Sequence, residues 1–425
     1  MSSRIVVPGP IHGRIAAPPS KSYTHRALVA GFLSGRRYQL RNPLESDDTL
    51  RTAAGLEALG AEVLRTAVSW TVRPGTDRPG RGVPKVDCGD SGTTLRFLVA
   101  LAARSNRPTV FRRSRSLASR PIEPLLRVLR AGGVEVTPPP RSRLSLRVRG
   151  PLRPVRSRLD ASKSSQFLSG LLFVLPTLDG PSYLRLERAP VSRPYLAATI
   201  AVLAAHGVTV AVRPPRVRIP GSQKFVGSGF DVPGDASSAA YLWAAAALTG
   251  GRVTVTGIEP RWPQADLKVL AILRSMGAEV RTQRTGVTVT GPVRSPVHVD
   301  LTSAPDLLPL VGVLAAAVPD RSTLVGAGQA RLKESDRRRE TTRLVRSLGG
   351  RVRTPADRIE IEGAGRWAGF RYDGATDHRM VMSAAVAALG ARGRSEIRSA
   401  TSVEKSYPGF WEALGQLGIV TEVRR

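Results

Sequence analysis

A short pattern recurs six times along this 425-residue chain, and its regular spacing constrains the fold more than any other feature. Each copy joins a leucine-bearing helix end, a glycine and an alternating apolar run, as in LEALGAEV and LRSMGAEV. A glycine after a helix is typical of the left-handed residue that ends it. The pattern therefore predicts six α/β units of about 71 residues each. The recurring glycines, 69 to 74 residues apart, are Gly60, Gly133, Gly207, Gly277, Gly349 and Gly418.

A second pattern with the same period marks the starts of six apolar segments. PPSKSYTHRALVAGFL and CGDSGTTLRFLVALAA, for example, open with polar residues and then become almost wholly apolar. Helices that are apolar on every side are buried ones. Free N–H groups and positive dipole ends at such helix starts attract anions. If the units associate in two groups of three, their helix starts would face a shared cleft that suits a small, highly charged anion. The marker residues, 71 or 72 positions apart, are Lys21, Gly92, Ser164, Asp235, Asp306 and His378.

The formal net charge of +31 keeps nucleic-acid binding among the function classes to consider. However, the charge is spread along the chain, aromatic residues make up only 5%, and no zinc finger, basic zipper or aromatic RNA-binding motif is present. Only 7 of the 64 basic residues are lysine, a skew that is typical of genomic base composition. Lys21, Lys333 and Lys405 each lie in a dense polar cluster, where a compact ammonium can be a functional requirement.

The cysteine and histidine content argues against disulfide-stabilised and metal-binding proteins. The single cysteine, Cys88, excludes an internal disulfide and a multi-cysteine metal site, and the five histidines show no ligand spacing. We therefore expect no structural metal; no cofactor is expected either. No apolar run approaches the ~20 residues of a membrane span, and the N-terminus lacks the apolar core of a signal peptide. The expectation is a globular, cytoplasmic protein with no membrane partner.

Eleven motifs follow one another along essentially the whole chain: PPSKSYTHR, SDDT (46–49), GDSGTTLRF, SRPI (119–122), SSQFLSGLL, SRPYL (192–196), GDASSAAY, PDLLPL, KESDR (333–337), DHRM (377–380) and EKSYP (404–408). In these motifs and their order the chain resembles the 5-enolpyruvylshikimate-3-phosphate synthase family, the enolpyruvyl transferases that include the target of glyphosate.

The resemblance implies a fold class and a domain division. The expected fold is α/β, a two-domain inverse α/β barrel-like arrangement in which each domain contains three βαβαββ-type repeats and the active site lies in the interdomain cleft. One domain is completed by both termini and comprises residues 1–19 and 235–425; residues 20–234 form the inserted domain. Six repeats are also the number obtained from the glycine spacing alone.

The resemblance also implies a reaction. The enolpyruvyl group of phosphoenolpyruvate is transferred to the 5-hydroxyl of shikimate 3-phosphate, with release of phosphate, in aromatic amino acid biosynthesis. The route is an addition followed by an elimination, so one group must accept the hydroxyl proton and another must deliver a proton to the methylene carbon. Side-chain cations hold the anionic substrates. The enzyme is expected to work as a monomer on small molecules, with no specific nucleic-acid partner.

Carried over residue by residue, the resemblance names three overlapping groups. The shikimate 3-phosphate ligands are Lys21, Ser22, Arg26, Ser164, Ser165, Gln166, Ser192, Tyr195, Asp306, Gln329 and Lys333. The phosphoenolpyruvate ligands are Lys21, Gly92, Arg120, Gln166, Arg337, Arg379 and Lys405. The catalytic candidates are Asp306, Glu334, Lys333 and Lys21.

The division of proton-transfer roles stays open at this point. Asp306 is the candidate base for the 5-hydroxyl, and neighbouring cations should hold its pKa low. Glu334 or Lys333 is the candidate for proton transfer at the methylene carbon. Taken singly, these residues are equally consistent with helix capping or with a solvated helix face.

Two alternatives compete with this interpretation. The sister family transfers enolpyruvyl to a nucleotide-sugar amino sugar, commonly with a reactive cysteine shortly before an RP dipeptide; the corresponding run here, RRSRSLASRPI, contains none. The second alternative is a basic nucleic-acid-binding protein. Asp90 and Ser91 stand where many relatives have Asn and Ala, and Gln329 where Asn is common, so sensitivity to glyphosate is left open.

Overall fold

A computed structural model of the chain describes residues 2–75, 82–137, 144–326 and 328–424. The chain forms two compact units, one made of Met1–Pro18 with Gly234–Arg425 and the other of Pro19–Pro233. That each unit folds as an independent domain, with boundaries at 19/20 and 234/235, stays a prediction.

The chain begins with two strands, β1 (Ser3–Val6) and β2 (His12–Ala16). The unit Pro19–Pro233 then follows. Its helices are α1 (Lys21–Ser34), α2 (Asp47–Ala58), α3 (Gly92–Ala102), α4 (Arg115–Ser119), α5 (Glu123–Ala131), α6 (Gln166–Val174) and α7 (Arg193–Ala205). Its strands are β3 (Tyr38–Arg41), β4 (Ala61–Arg65), β5 (Ser69–Pro74), β6 (Lys85–Asp87), β7 (Thr109–Arg112), β8 (Glu135–Thr137), β9 (Ser145–Arg149), β10 (Arg156–Leu159), β11 (Ser182–Leu186), β12 (Ala211–Arg213), β13 (Arg216–Ile219) and β14 (Gly229–Asp231).

The remainder of the chain supplies the other unit, to which β1 and β2 also belong. Its helices are α8 (Ala236–Thr249), α9 (Lys268–Ser275), α10 (Leu308–Ala316), α11 (Arg337–Ser347), α12 (His378–Leu389) and α13 (Phe410–Gln416). Its strands are β15 (Arg252–Thr256), β16 (Glu279–Gln283), β17 (Gly286–Thr290), β18 (His298–Asp300), β19 (Arg321–Val325), β20 (Arg351–Arg353), β21 (Arg358–Glu362), β22 (Arg371–Asp373), β23 (Ser395–Arg398) and β24 (Thr421–Arg424).

The strands form four-stranded sheets that share one pairing scheme. In the order β10-β11-β13-β12, for example, the first pair is parallel and the next two are antiparallel. The same scheme holds in the sheets β14-β3-β5-β4, β6-β7-β9-β8, β2-β15-β17-β16, β18-β19-β21-β20 and β22-β23-β1-β24. Because β14 pairs with β3, and β1 and β2 pair with strands late in the chain, each unit is closed by segments distant in sequence. In the part of the chain that the structure describes, no sheet closes into a barrel. The α/β class with repeated βαβ-type units is confirmed.

Six helices lie where the polar-to-apolar segments predict them. They are α1, α3 and α6 in one unit and α8, α10 and α12 in the other, and each begins within two residues of its sequence marker. Every residue of α10 and of α12 is buried. In α3 and α8 the same holds for nearly all residues after the first turn. The apolar residues that predicted buried helices therefore form the cores of both units.

The recurring glycines have the conformation that the sequence pattern requires. All six have a positive φ, between 72° at Gly207 and 102° at Gly60, and a strand follows each of them. A side chain in this region costs free energy that glycine avoids. The prediction that these glycines end helices in the left-handed conformation is confirmed. Across the described residues, no helix is long and apolar enough to span a membrane.

Two glycines at the end of α13 provide a matched test of this role. Gly418 has φ +92° and Gly415 is helical, and a Cβ at either position would meet no atom within 4 Å. Gly418→Ala should therefore lower the free energy of unfolding by about 1–2 kcal/mol through backbone strain alone. Gly415→Ala should leave it unchanged or raise it by up to about 1 kcal/mol. Urea unfolding of both variants measures the two changes in the free energy of unfolding. Equal changes would contradict the role of Gly418 as a left-handed residue that ends the helix.

Candidate active site

The start of α1 presents an ammonium group held by a carboxylate. Lys21 is the first residue of the helix, and its Nζ lies 2.9 Å from Oδ2 of Asp48, in the first turn of α2. The Lys21 side chain is 18% exposed and that of Asp48 is 7% exposed. A partly buried, paired lysine beside a helix N-terminus can exchange its carboxylate partner for a bound anion.

Arg26, one turn further along α1, connects helices inside the same unit. Its guanidinium donates to the carbonyl of Ser22 at 2.8 Å, to the carbonyl of Tyr195 at 2.9 Å and to the hydroxyl of Thr199 at 3.0 Å. The side chain is buried. Arg26 therefore fixes α1 against the first turns of α7, next to Ser192, which has a left-handed backbone with φ 53°.

The starts of α3 and α6 are joined by side-chain hydrogen bonds. Arg96 donates from Nη1 to Oε1 of Gln166 at 2.6 Å, and Gln166 donates from Nε2 to the hydroxyl of Thr93 at 2.9 Å. A Cβ at Gly92 would lie only 2.5 Å from Nη1 of Arg96. The absence of a side chain at Gly92 thus leaves the space that Arg96 needs to reach Gln166.

The serines before α6 and the arginine after α4 complete the polar residues of this unit. Ser164 accepts a hydrogen bond from the backbone N–H of Gln166 at 3.2 Å, and Ser165 is buried at the N-cap position. Arg120, half-buried at the end of α4, donates to the hydroxyl of Ser116 at 3.3 Å. The carboxylate of Asp90 accepts a hydrogen bond from Ser114.

In the other unit, an ion cluster is built around Arg337, the first residue of α11. The Arg337 side chain is 1% exposed, and its guanidinium donates to three carboxylates: Asp306 at 2.7 Å, Glu334 at 2.6 Å and Asp377 at 2.8 Å. Lys333 lies 3.2 Å from Asp306. We call these five residues, together with Arg379 and Asp266, the Arg337 cluster.

Arg379 links two carboxylates of the Arg337 cluster. Its Nη2 lies 3.1 Å from Oδ2 of Asp306, and its Nη1 lies 3.6 Å from Oδ2 of Asp266. Asp266 also accepts a hydrogen bond from Ser237 at the start of α8. The first turns of α8, α11 and α12 and the turn Pro305–Leu307 before α10 therefore contribute charged or hydroxyl groups to one place.

The two aspartates have opposite pKa shifts. Burial alone would raise the pKa of Asp306, but the positive charges of Arg379, Lys333 and Arg337 outweigh it and hold this pKa well below 3.8. The low pKa expected for Asp306 is thus found. Burial raises the pKa of Asp266 to about 6, because Arg379 compensates for it only in part and the negative charge of Asp306 lies nearby.

Gln329 and Lys405 lie in two further turns of this unit. Gln329 donates from Nε2 to the carbonyl of Thr302 at 2.6 Å. Lys405 is half-buried at the end of the turn Ala400–Lys405. Among the described residues, no group of three or more histidine, cysteine, aspartate and glutamate side chains is arranged to hold a metal ion.

Sequence reasoning missed four residues that hold the predicted ones in place. Three of them lie inside motifs quoted above: Asp48 in SDDT, Arg96 in GDSGTTLRF and Asp377 in DHRM. The motifs did not indicate which side chains these residues would pair with. Asp266 lies in PQADL, between the two repeating patterns, where no signal marked it.

The comparisons with known proteins agree with one another. A family model described as EPSP synthase (3-phosphoshikimate 1-carboxyvinyltransferase) matches residues 5–414. The chain is 39% identical to the 3-phosphoshikimate 1-carboxyvinyltransferase of Methanoculleus marisnigri over 432 residues, covering 99% of this chain and 100% of that protein. It is also 39% identical to the enzyme of the same name from Aeropyrum pernix, in an alignment that covers 99% of this chain and 96% of that protein. An EPSP synthase structure from Acinetobacter baumannii matches with a TM-score of 0.83 and 25% identity, covering both chains completely.

The fold is an α/β fold of repeated units, and the matching family model and relatives are those of a transferase that acts on small molecules. The family match over nearly the whole chain and the relatives at 39% identity make the assignment specific. The chain belongs to the EPSP synthase family.

Asp266 gives this site a pH dependence that can be measured without substrate. With a pKa of about 6 instead of 3.8, the native state binds an additional proton between these values. The stabilising contribution of this group is therefore complete below pH 3.8 and is lost as pH rises through about 6, by at most about 1.4 kcal/mol per pH unit. Urea unfolding between pH 4 and 7 should show this slope in the wild type and not in Asp266→Asn. An equal slope in both would contradict the shift.

Proposed function

We propose that this chain transfers the enolpyruvyl group of phosphoenolpyruvate to the 5-hydroxyl of shikimate 3-phosphate and releases phosphate. Family membership supports the reaction class. The observation that carries the assignment of residues is the Arg337 cluster, in which Asp306 and Glu334 share one buried guanidinium and Lys333 lies beside Asp306. Proton acceptors and anion-binding cations are thus within ion-pair distance of each other, as an addition followed by an elimination requires.

Phosphoenolpyruvate is proposed to bind to cations that carboxylates hold in the present structure. Arg337 and Arg379 are planar forks that match phosphate and carboxylate groups, and both now pair with Asp306. Arg120, Lys405 and the backbone at Gly92 are the further proposed ligands. An incoming anion would draw positive charge away from Asp306. The proton affinity of Asp306 would then rise when phosphoenolpyruvate is present, which is when the base is needed.

Shikimate 3-phosphate is proposed to bind largely through the unit Pro19–Pro233. The proposed ligands of its phosphate and ring are Lys21, Ser22, Arg26, Ser164, Ser165, Gln166, Ser192 and Tyr195, with Asp306, Gln329 and Lys333 from the other unit. Lys21 is supported by its pairing with Asp48, because an ammonium that is already desolvated and oriented loses less on binding an anion. Asp306 is the proposed base for the 5-hydroxyl, and Glu334 or Lys333 the group that transfers protons at the methylene carbon. Action as a cytoplasmic monomer without metal or cofactor stays a prediction.

An acceptor comparison tests the proposed function. Release of inorganic phosphate from phosphoenolpyruvate should require shikimate 3-phosphate and should continue in excess EDTA, because the proposed cations are side chains. A nucleotide-sugar amino sugar should not replace the acceptor. Phosphate release driven by the nucleotide sugar would move the protein to the sister family, and release without any acceptor would indicate a simple phosphatase.

Lys21→Arg keeps the charge and is expected to reduce the rate by about 10²-fold or more. The larger, planar guanidinium cannot take the position of an ammonium held 2.9 Å from Asp48 without displacing the substrate phosphate. Lys85→Arg, at an exposed position of strand β6, is the matched control and should keep wild-type kcat and KM. Near-normal activity of Lys21→Arg would leave Lys21 with a structural role only.

Asp306→Asn should fold, bind shikimate 3-phosphate and turn over about 10²–10⁴-fold more slowly. Asparagine keeps one acceptor for Arg337 and Lys333 but cannot accept the hydroxyl proton. Isothermal titration with shikimate 3-phosphate, paired with steady-state kinetics, separates binding from turnover. A variant that retained most of its kcat would exclude Asp306 as the base and make Glu334 the leading candidate.

A further inference from the structure

The outer face of one sheet carries arginines in an arrangement that the proposed reaction does not use. Strand β10 pairs with β11, β11 with β13 and β13 with β12. In this register four arginines lie side by side across all four strands. The row consists of Arg158, Arg185, Arg216 and Arg213, each the direct partner of the next.

A second row runs beside the first. It contains Arg156, Tyr183 and Arg218, again direct cross-strand partners. The guanidinium carbon of Arg156 lies 4.8 Å from the centroid of the Tyr183 ring, in a cation–π contact. We call the two rows the arginine face. Its six arginines are all exposed, and the opposite face of the sheet is buried through Leu159, Leu184, Leu186, Val217 and Ile219.

The arginine face is unfavourable for stability when taken alone. Adjacent strands lie about 4.8 Å apart, so the first row places four positive charges within about 14 Å. Like charges directly opposite one another destabilise a sheet. The sequences of the four strands, RSRL, SYLRL, AVR and RVRI, contain no acidic residue. Asp160 and Glu187 directly follow β10 and β11, and Glu187 lies 3.8 Å from Arg127, which is not part of the arginine face.

The other sheets show that the arginine-rich composition does not by itself produce such a face. In each of the other five, an arginine on a strand pairs with a carboxylate on the same or a neighbouring strand. Examples are Arg73 with Glu62 at 2.8 Å and Arg321 with Glu362 at 2.6 Å. The remaining three sheets have the pairs Arg149–Glu135, Arg281–Glu279 and Arg371–Glu396. Among the sheets of the described residues, the sheet of β10, β11, β13 and β12 is the only one in which no strand contains an acidic residue.

We infer that the arginine face binds single-stranded nucleic acid without sequence preference. Guanidinium groups match phosphate oxygens with two hydrogen bonds, and unpaired bases stack on guanidinium and aromatic planes. The stacked Arg156 and Tyr183 provide such a plane beside a row of phosphate-binding forks. A depression of about 610 Å³ opens on the same strands and is lined by Arg156, Tyr183, Arg185, Arg216 and Arg218 among others. An acidic polypeptide would match the charge but has no planar bases to stack.

The test uses fluorescence anisotropy of a labelled 15-nucleotide oligouridylate with the full chain at 50 and 200 mM KCl. The face variant is R158Q/R185Q/R216Q. The control variant R14Q/R147Q/R252Q removes the same charge from exposed positions on two other sheets. We expect the face variant to bind at least 10-fold more weakly and the control within about 3-fold of the wild type. The salt slope of the face variant should fall by about 2, since each phosphate contact on a single strand contributes about 0.7.

Two further readouts keep the result interpretable. The face variant should melt at the same temperature as the wild type or higher, because repulsion is removed, and both variants should release phosphate at the wild-type rate. Equal weakening in the two variants would show that net charge alone attracts the oligonucleotide and would overturn the proposal. Absence of binding at 50 mM KCl, a lower melting temperature of the face variant, or equally effective displacement by polyglutamate of matched charge would also overturn it.

Discussion

The six helices that are apolar on nearly every side are the constraint on which the rest of the structure depends. Such a helix is stable only inside a protein, so the sheets of each unit must enclose three of them. Polar groups are excluded from the middle of these helices and collect in their first turns. The free N–H groups there already favour anions. Lys21 at the start of α1 and Arg379 at the start of α12 are examples among the residues that the proposed function uses.

The Arg337 cluster shows how charge is tolerated in such a place. A guanidinium that is 1% exposed would be costly to desolvate alone, and here it donates to three carboxylates. Removing one partner from such a group leaves an uncompensated charge. In the proposed mechanism the substrate phosphate and carboxylate take over part of this pairing, which couples substrate binding to the proton affinity of Asp306. In the other unit, Asp48 likewise pairs with Lys21, and the proposed substrate phosphate would take over part of that pairing.

Much of the fold was predictable because it depends on local and periodic signals. A glycine at C′ and an apolar helix can each be recognised within about ten residues, and their regular recurrence gave six units. The side-chain pairing was not predictable. Asp306 and Asp377 lie 31 and 40 positions from Arg337, and only the packing of different helices brings them together. Arg337 and Arg379 were therefore predicted as ligands of phosphoenolpyruvate without the carboxylates that hold them here. Asp266 was missed entirely, because it lies outside both repeating patterns.

The proposed reaction adds a proton to the methylene carbon of phosphoenolpyruvate and later removes one, with groups of the Arg337 cluster as the proposed donors and acceptors. Turnover in D₂O, followed by proton NMR of the vinyl signals, tests it most directly. Addition converts the methylene to a methyl group that has gained a solvent deuteron, and elimination then removes one hydrogen or deuterium from that methyl group. Deuterium is expected in the vinyl group of the product, and none in phosphoenolpyruvate incubated without shikimate 3-phosphate. A product whose vinyl group remains fully protonated after complete turnover in D₂O would contradict it.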